Sequence, residues 1–472
     1  MKLSGTLKFF IVVVALLALL CAVFPREGMT VGGITLRFPS LHKVLAEREA
    51  NEKEEAEPQV AERDLSGARD SIVFLHEILY ESPLRFWIPD DRVDFFDEFF
   101  YAAENAVEQG RTVRVLHYGD SQIEMDRITC RLRQHMQELF GGGGPGFVPL
   151  RQPIPTFSLN QSAQGSLEGQ STYGDLPRAN GNYGPMLRSW RVTGSATMSV
   201  RASNSRYAAE LVKQFSTIKV LFNNRPGPLT VSMQDRKSGA VYRESVKDNG
   251  IHIVAWQMDS ATSSAILTLQ GTADIYGVMV DNGAGVAVDN ISMRGVSGHQ
   301  FKMANAEQLA QAYELMDIKL IIMQFGGNSV PYLRGWKSIE RYCSEMGDQI
   351  DYVREACPGA AILFIGPSDM STKVSGELAT YPYLPQIVQL LRITANEHGA
   401  AYWSIYDAMG GKGSMIAWAK KGLAGHDYLH FSQKGSDIMG DNIADALEKM
   451  YQLYKLRQQL TTNQFDRLWA EQ

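Results

Sequence analysis

From residue 286 to the C-terminus, short apolar runs alternate with amphipathic stretches, and this alternation leaves few folds open to the chain. Strands are read at 286–293 (Val-Ala-Val-Asp-Asn-Ile-Ser-Met), 318–325, 360–365 and 401–406, with helices at 304–316, 337–355, 384–398 and 432–455. Parallel strands need a crossover long enough to hold a helix, so the pattern predicts a parallel sheet covered on both faces. An earlier strand at 111–118 joins the same sheet. A helix follows at 123–140, where Ile128, Leu132, Met136 and Leu139 share one face. Ahead of that strand, Phe95, Phe96, Phe99, Phe100 and Ala103 fit another buried helical face. In such sheets ligands gather at the carboxyl ends of the strands.

Residues 151–285 have a different texture, rich in Ser, Thr, Gly and Asn and poor in helix formers. Alternating runs such as Leu229-Thr230-Val231-Ser232-Met233 and Ala265-Ile266-Leu267-Thr268-Leu269, with turns such as Asp248-Asn249-Gly250, predict a β-sandwich-like module. The α/β rhythm resumes after it without a fresh start. The module is therefore expected as an insertion that splits one α/β domain into 72–150 and 286–472.

At the N-terminus, Lys2 and Lys8 precede an apolar run from Phe9 to Phe24, closed by Pro25-Arg26-Glu27. Basic before apolar predicts a signal anchor or signal peptide over 1–28, with a cleaved signal and lipidation at Cys21 as alternatives. The expectation is a transmembrane helix, a stalk or linker at 29–71, and a folded part in the periplasm or outside the cell. Cys130, Cys343 and Cys357 remain for that folded part; free, buried thiols are expected, with a Cys343–Cys357 disulfide as the alternative if the intervening helix allows it. A formal net charge of -6 gives no support for a nucleic-acid partner, which would need a large excess of Lys and Arg.

The residues able to carry chemistry fall at strand ends. Gly119-Asp120-Ser121 follows the strand at 111–118, which would place the Ser121 hydroxyl at the mouth of the sheet. A serine attacks a carbonyl when a base takes its proton and a carboxylate orients the base. Asp427 and His430, three residues apart before the closing helix, are the candidates. His426 lacks that spacing, and His117 lies inside a strand, where a packing role is expected. Asn328, in Gln324-Phe325-Gly326-Gly327-Asn328, offers a directed amide to a developing oxyanion. The backbone N–H groups of Gly298 and Ser121 are further candidates, the latter at the amino end of the expected helix. The run Gly141-Gly142-Gly143-Gly144-Pro145-Gly146 lacks a following Gly-Lys-Ser/Thr and follows a helix, so flexibility near the site is expected rather than phosphate binding. Residues 410–425 are read as a loop over the site, and Asp369 as a turn residue. No HExxH motif or close His/Asp grouping appears along the chain, and neither a metal nor a cofactor is expected.

In this order, Gly119-Asp120-Ser121, Gly298, Gly326-Gly327-Asn328 and Asp427-x-x-His430 resemble the blocks of the SGNH (GDSL-like) hydrolase family. The resemblance covers 72–150 and 286–455. It implies a three-layer parallel-sheet domain with Ser121 as nucleophile, Asp427 and His430 completing the triad, and Ser121, Gly298 and Asn328 in the oxyanion hole. Gln122 stands where leucine is common, and Ser329 where aspartate is common.

The function expected on these grounds is a serine esterase removing O-acetyl groups from a cell-wall or exported polysaccharide through an acyl-enzyme. An O-acetyltransferase using the same serine, with a membrane partner supplying acetyl groups, is the first alternative. A glycan-binding protein on an inactive scaffold is the second.

Overall fold

Residues 112–119 are buried along their whole length, as expected of a strand with no solvent face. In the computed structural model, which describes residues 29–31, 34–36, 65–178 and 181–472, that strand lies within a six-stranded sheet. Its strands are β1 (Phe86–Trp87), β2 (Thr112–Gly119), β3 (Gly285–Ser292), β4 (Ile318–Gln324), β5 (Ala361–Ile365) and β6 (Ala401–Trp403), in the order β3-β2-β4-β5-β6-β1. All neighbours are parallel except β1, which runs antiparallel to β6.

One face carries α3 (Ala306–Met316), α4 (Trp336–Ala356) and α5 (Leu384–Glu397); their apolar sides share a core with Leu116, Tyr118, Ile321, Met323 and Phe364. Against the other face lie α1 (Asp97–Asn105), α2 (Thr129–Phe140) and α6 (Gln433–Gln459). This gives three layers.

Between α2 and β3 the chain builds eight strands, from Gly146–Val148 to Ser264–Asp281. Their hydrogen bonds join them in one antiparallel set rather than two separate sheets. The 18-residue strand Ser264–Asp281 makes this possible: it pairs with 229–235 along 265–271, then with 217–223 along 274–281. At the change of partner stands Gly271, with φ of +131° and no room for a side chain, since a Cβ would lie 2.0 Å from the Pro228 carbonyl oxygen. Side chains such as Val192, Met198, Val220, Phe222, Leu267 and Val280 fill the core of this set.

Phe147, Leu221 and Met279 from the same strands pack into the α/β core. The Tyr118 hydroxyl donates to the Pro185 carbonyl (2.6 Å) and accepts from Tyr313 (2.9 Å). On the same face of β2, the buried Arg114 donates to both oxygens of Asp289 on β3 (3.0 and 2.9 Å) and to Asp281 at the end of the long strand. Asp289 also accepts from the Phe147 N–H at 2.7 Å.

The chain divides into two compact units, 1–71 and 72–472. In the first, Met29–Val31 pairs antiparallel with Ile34–Leu36. The expected anchor over 1–28 and most of the expected stalk lie outside the described residues. No helix among the described residues is long and apolar enough to cross a membrane. The longest, α6, has 27 residues but carries Lys434, Asp437, Asp441, Asp445, Glu448, Lys449 and Lys455, and buries only one stripe. Among the described residues the expected transmembrane helix is therefore not found, and the periplasmic or extracellular placement built on it is withdrawn.

Several local expectations also shift. The glycine run is packed rather than loose: a Cβ on Gly142 would lie 2.4 Å from the Val286 carbonyl oxygen, and one on Gly144 2.4 Å from that of Val280. It meets β3 at its amino end, away from the sheet edge that carries Ser121. Residues 410–425 contain the helix Ser414–Lys420, and Asp369 accepts the Met415 N–H at 2.8 Å. Cys130, Cys343 and Cys357 are free and buried.

The Arg114 cluster leads to a stability prediction. Arg114→Met leaves Asp289 buried without its cation and Asp281 with only Lys219 at 4.0 Å, so urea unfolding is expected to show a loss of about 3–5 kcal/mol. Replacing Asp281 and Asp289 by leucine in the same background should recover part of it; unchanged stability in the single variant would refute this account.

Candidate active site

Strand β2 ends at Gly119, where a Cβ would meet Ile123 Cδ1 at 2.9 Å and the Gln324 carbonyl oxygen at 3.2 Å. Asp120 then caps a 3-10 turn, Ser121–Asp126, by accepting the Gln122 N–H at 2.9 Å. The turn breaks at Glu124 (ψ 151°) and Met125 (φ 61°), and α2 begins only at Thr129. The helix expected from Ile123 is therefore delayed by six residues. Ser121 opens a short 3-10 turn instead of an α-helix, so the field of a helix terminus does not act at its N–H; as the first residue of a helical turn, that N–H still has no partner within the turn.

The second half of the site is the turn before α6. Asp427 Oδ1 accepts the N–H groups of Leu429 (3.0 Å) and His430 (3.1 Å), and Tyr428 adopts a φ of 54°. This folds the turn so that Asp427 Oδ2 accepts a hydrogen bond from the His430 Nδ1–H at 2.8 Å. His430 Nε2 is thereby left as an acceptor, 2.8 Å from Ser121 Oγ. Burial pushes the Asp427 carboxyl upward, but the bonds from the His430 ring and from the two backbone N–H groups outweigh it and hold it below the ordinary carboxylate range. The pair is not deeply enclosed: the His430 side chain is 33% exposed and that of Asp427 51%.

Two side chains that sequence reasoning did not assign fasten these halves together. Gln122 donates to the Leu429 carbonyl (2.7 Å) and accepts the Phe431 N–H (3.3 Å), so one amide grips the backbone on both sides of His430. Arg127 donates to the Ser121 carbonyl and, at 3.3 Å, to that of Phe431. The replacement of leucine by Gln122 was visible in the sequence; its partners, more than 300 residues away, were not.

The expected oxyanion donors are arranged less simply. Asn328 lines the cleft beside Ser121, but its Nδ2 donates to Asp120 Oδ2 (3.2 Å) and to the Val296 carbonyl (3.0 Å). Gly298 does not line the cleft. Its φ of +101° and a would-be Cβ 2.8 Å from Met346 Sδ explain why glycine stands there. Asp120 is buried, which raises its carboxyl to about 6 despite the Gln122 N–H and the nearby His430 and Arg127. The cleft measures 370 Å³ and is closed on its other sides by Phe325, Gly366, Pro367, Ser368 and Ile405.

The rival histidines stand apart. His426 is exposed. His117 is buried between Gln324 (3.0 Å) and Thr129 (3.0 Å), and burial lowers its pKa to about 4, which keeps the ring neutral. A grouping unseen along the sequence, His135 with Asp445 and Glu448, forms across α2 and α6, where His135 Nε2 lies 2.7 Å from Glu448. It is a partly exposed hydrogen-bonded contact between two helices, and none of its residues lines the cleft beside Ser121.

Comparison with known proteins bears on this geometry. The GDSL-like Lipase/Acylhydrolase family matches residues 259–438, a span that includes Gly298, Asn328, Asp427 and His430 and begins after Ser121. Among solved structures, one described as a peptidoglycan O-acetylesterase is 22% identical, covering 79% of this chain and 97% of its own, with a TM-score of 0.58. A family two carbohydrate esterase from Cellvibrio japonicus is 9% identical over 63% of this chain and 99% of its own, with a TM-score of 0.25, too low to bear on the fold. No curated protein matches.

Two predictions follow from the site's wiring. Gln122→Leu should lower kcat for an acetyl ester on the order of tenfold to a hundredfold with KM nearly unchanged, because a loosened His430 is off target in the transition state. An unaltered kcat would remove Gln122 from this role. The raised Asp120 carboxyl has a definite sign: the folded state holds its proton more tightly, so stability due to Asp120 is present at low pH and is lost as pH rises through about 6. Urea unfolding should show Asp120→Asn to be about 2 kcal/mol more costly near pH ~4.5 than near pH ~7.5; a pH-independent difference would contradict it.

Over residues 259–438 the chain is thus similar to the GDSL-like Lipase/Acylhydrolase family, and its three-layer fold brings a serine, a histidine and an aspartate into hydrogen-bonded contact.

Proposed function

We propose that this enzyme removes O-acetyl groups from a polysaccharide, with Ser121 as nucleophile, His430 as general base and acid, and Asp427 as the group that orients the imidazole. The observation that carries the reading is the unbroken chain from Asp427 Oδ2 through His430 to Ser121 Oγ, with both contacts at 2.8 Å. Asp427, held ionised, accepts the Nδ1 proton and so leaves Nε2 free to take the serine proton. Ser121 Oγ attacks the acetyl carbonyl, and His430 passes the proton to the departing sugar hydroxyl. Water, deprotonated by the same imidazole, then attacks the acetyl-serine, and acetate leaves as Ser121 regains its proton.

The cleft beside Ser121, closed by Phe325, Pro367 and Ile405, is consistent with a short acyl group rather than a long chain. The sugar part would extend into solvent along the sheet edge. The likeness to a structure described as a peptidoglycan O-acetylesterase supports an acetylated glycan as the substrate class. The intact hydrogen-bonded relay speaks against a purely glycan-binding role on a dead scaffold.

The test is acetate release from p-nitrophenyl acetate and from O-acetylated peptidoglycan, comparing the wild type with Ser121→Ala. Loss of at least about 10³-fold in kcat with both substrates is expected. Equal release by the variant would defeat the proposal.

A further inference from the structure

A second groove opens at the carboxyl edge of the parallel sheet. It measures 890 Å³, and its charged and polar lining consists of Glu81, Ser82, Arg85, Trp87, Arg392 and Asp407. Strand β1 pairs with β6 so that Phe86 stands opposite Trp403, the last residue of β6. Arg85 therefore lies at the same edge as Ser121. The four-residue helix Ile405–Ala408 joins the two places: Ile405 lines the cleft beside Ser121, and Asp407 lines the groove.

The lining has an unusual electrostatic feature. The guanidinium carbons of Arg85 and Arg392 lie 3.5 and 3.9 Å from the centre of the Trp87 ring. Both residues are half-buried, so the indole supports two partly desolvated cations at once. Among the described residues, neither guanidinium has an ion-pair or hydrogen-bond partner. Arg85 is held below the ordinary arginine value, first by burial and then by Arg392, while Asp407 and Asp91 act in the opposite direction from a distance. Each cation is thus held against the Trp87 ring by stacking, with its donor fork unspent. Each such fork suits the two oxygens of a carboxylate, which it can take up in its own plane. Glu81, Ser82 and Asp407 add hydroxyl-directed groups beside it.

We propose that this groove binds a carboxylate-bearing sugar unit of the glycan whose acetyl ester reaches Ser121. The inference rests on the esterase reading above. From β2 to β1 is four strand spacings, about 19 Å at the usual interval. The bound unit would therefore sit several positions along the polymer from the ester, so the groove selects the chain and takes no part in the chemistry. A neutral unit offers the two unspent guanidinium forks no bidentate acceptor, whereas a sugar carboxylate does, so acidic glycans bind better.

Two measurements test this, one independent of catalysis. With Ser121→Ala, titration calorimetry of a deacetylated oligouronate and of a neutral xylo-oligosaccharide should show about tenfold tighter binding of the acidic one at low salt, weakening as salt rises. Adding Arg85→Gln and Arg392→Gln together should abolish that preference. In the active enzyme, the same two substitutions should raise KM for an acetylated polyuronate about tenfold while leaving p-nitrophenyl acetate hydrolysis and the thermal midpoint unchanged. Arg85→Lys and Arg392→Lys, which keep charge but lose the planar fork, should fall between. Equal binding of acidic and neutral oligosaccharides, or a preference that survives loss of both arginines, overturns the proposal. If Ser121→Ala releases acetate like the wild type, the esterase reading fails, while the calorimetry still decides whether the groove takes a carboxylate.

Discussion

Arg114 is the charge around which the two halves of the α/β domain and the antiparallel strands are assembled. It lies within β2, buried, and is neutralised by Asp289 on β3 and by Asp281 at the end of the long strand that returns the chain to the sheet. A cation in that position cannot be left alone, since removing one partner from a buried pair costs several kcal/mol. Both carboxylates must therefore be present whenever β2 is in place. Asp289 also receives the Phe147 N–H, which brings the first antiparallel strand to the same point. Long-range order between residues 114, 147, 281 and 289 is thus enforced by one desolvated guanidinium, and β2 is fixed with the Ser121 turn at its far end.

With β2 fixed, the remaining problem is to bring His430 to Ser121 across 309 residues of chain. The Asp427–His430 pair is too exposed to hold itself rigidly, because an exposed polar contact contributes little against side-chain entropy. The structure places the rigidity in backbone clamps instead. Gln122 bonds the carbonyl before His430 and the N–H after it, and Arg127 bonds the Ser121 carbonyl and that of Phe431. Polar side chains bonded to backbone orient the loop without touching the reacting atoms, which leaves the imidazole itself free for proton transfer.

Much of this was legible in the sequence, and the reasons differ by residue. The parallel sheet could be read because its strands are apolar throughout and alternate with amphipathic helices, as in Ile318–Gln324 and Trp336–Ala356. Ser121, Asp427, His430 and Asn328 could be picked out because each sits at a strand end or a turn, where side chains are presented. The start of α2 was misplaced because Ile123 and Met125 continue the apolar spacing, while the positive φ of Met125, a conformation any sequence reading assigns to glycine first, breaks the helix. Strand β6 ends at Trp403 because the Ser404 hydroxyl accepts the Asp407 N–H and starts a helix there. The glycine run was read as loose because glycine permits both flexibility and close packing; only the Val286 and Val280 carbonyls beside it decide between them. The clamps of Gln122 and Arg127, and the stacking of Arg85 and Arg392 on Trp87, join residues with no sequence relation, and no local pattern reports them.

Asn328 sets a condition on the chemistry that sequence blocks alone would hide. Its amide has two hydrogens, and in this structure they go to Asp120 Oδ2 and the Val296 carbonyl. For Asn328 to serve a developing oxyanion, one of those bonds must be released or shared. Asp120 is the partner more readily given up, because its carboxyl is already raised to about 6 by burial and its charge is poorly compensated. A negative oxygen forming on the acyl carbon would compete with that carboxylate for the same N–H and would at the same time disfavour its charge. The Ser121 N–H faces no such competitor within its turn, so the two donors are not equivalent. Any stabilisation by Asn328 would therefore be coupled to Asp120, the residue that also caps the Ser121 turn, so that the geometry of the turn and the supply of donors share one buried carboxylate.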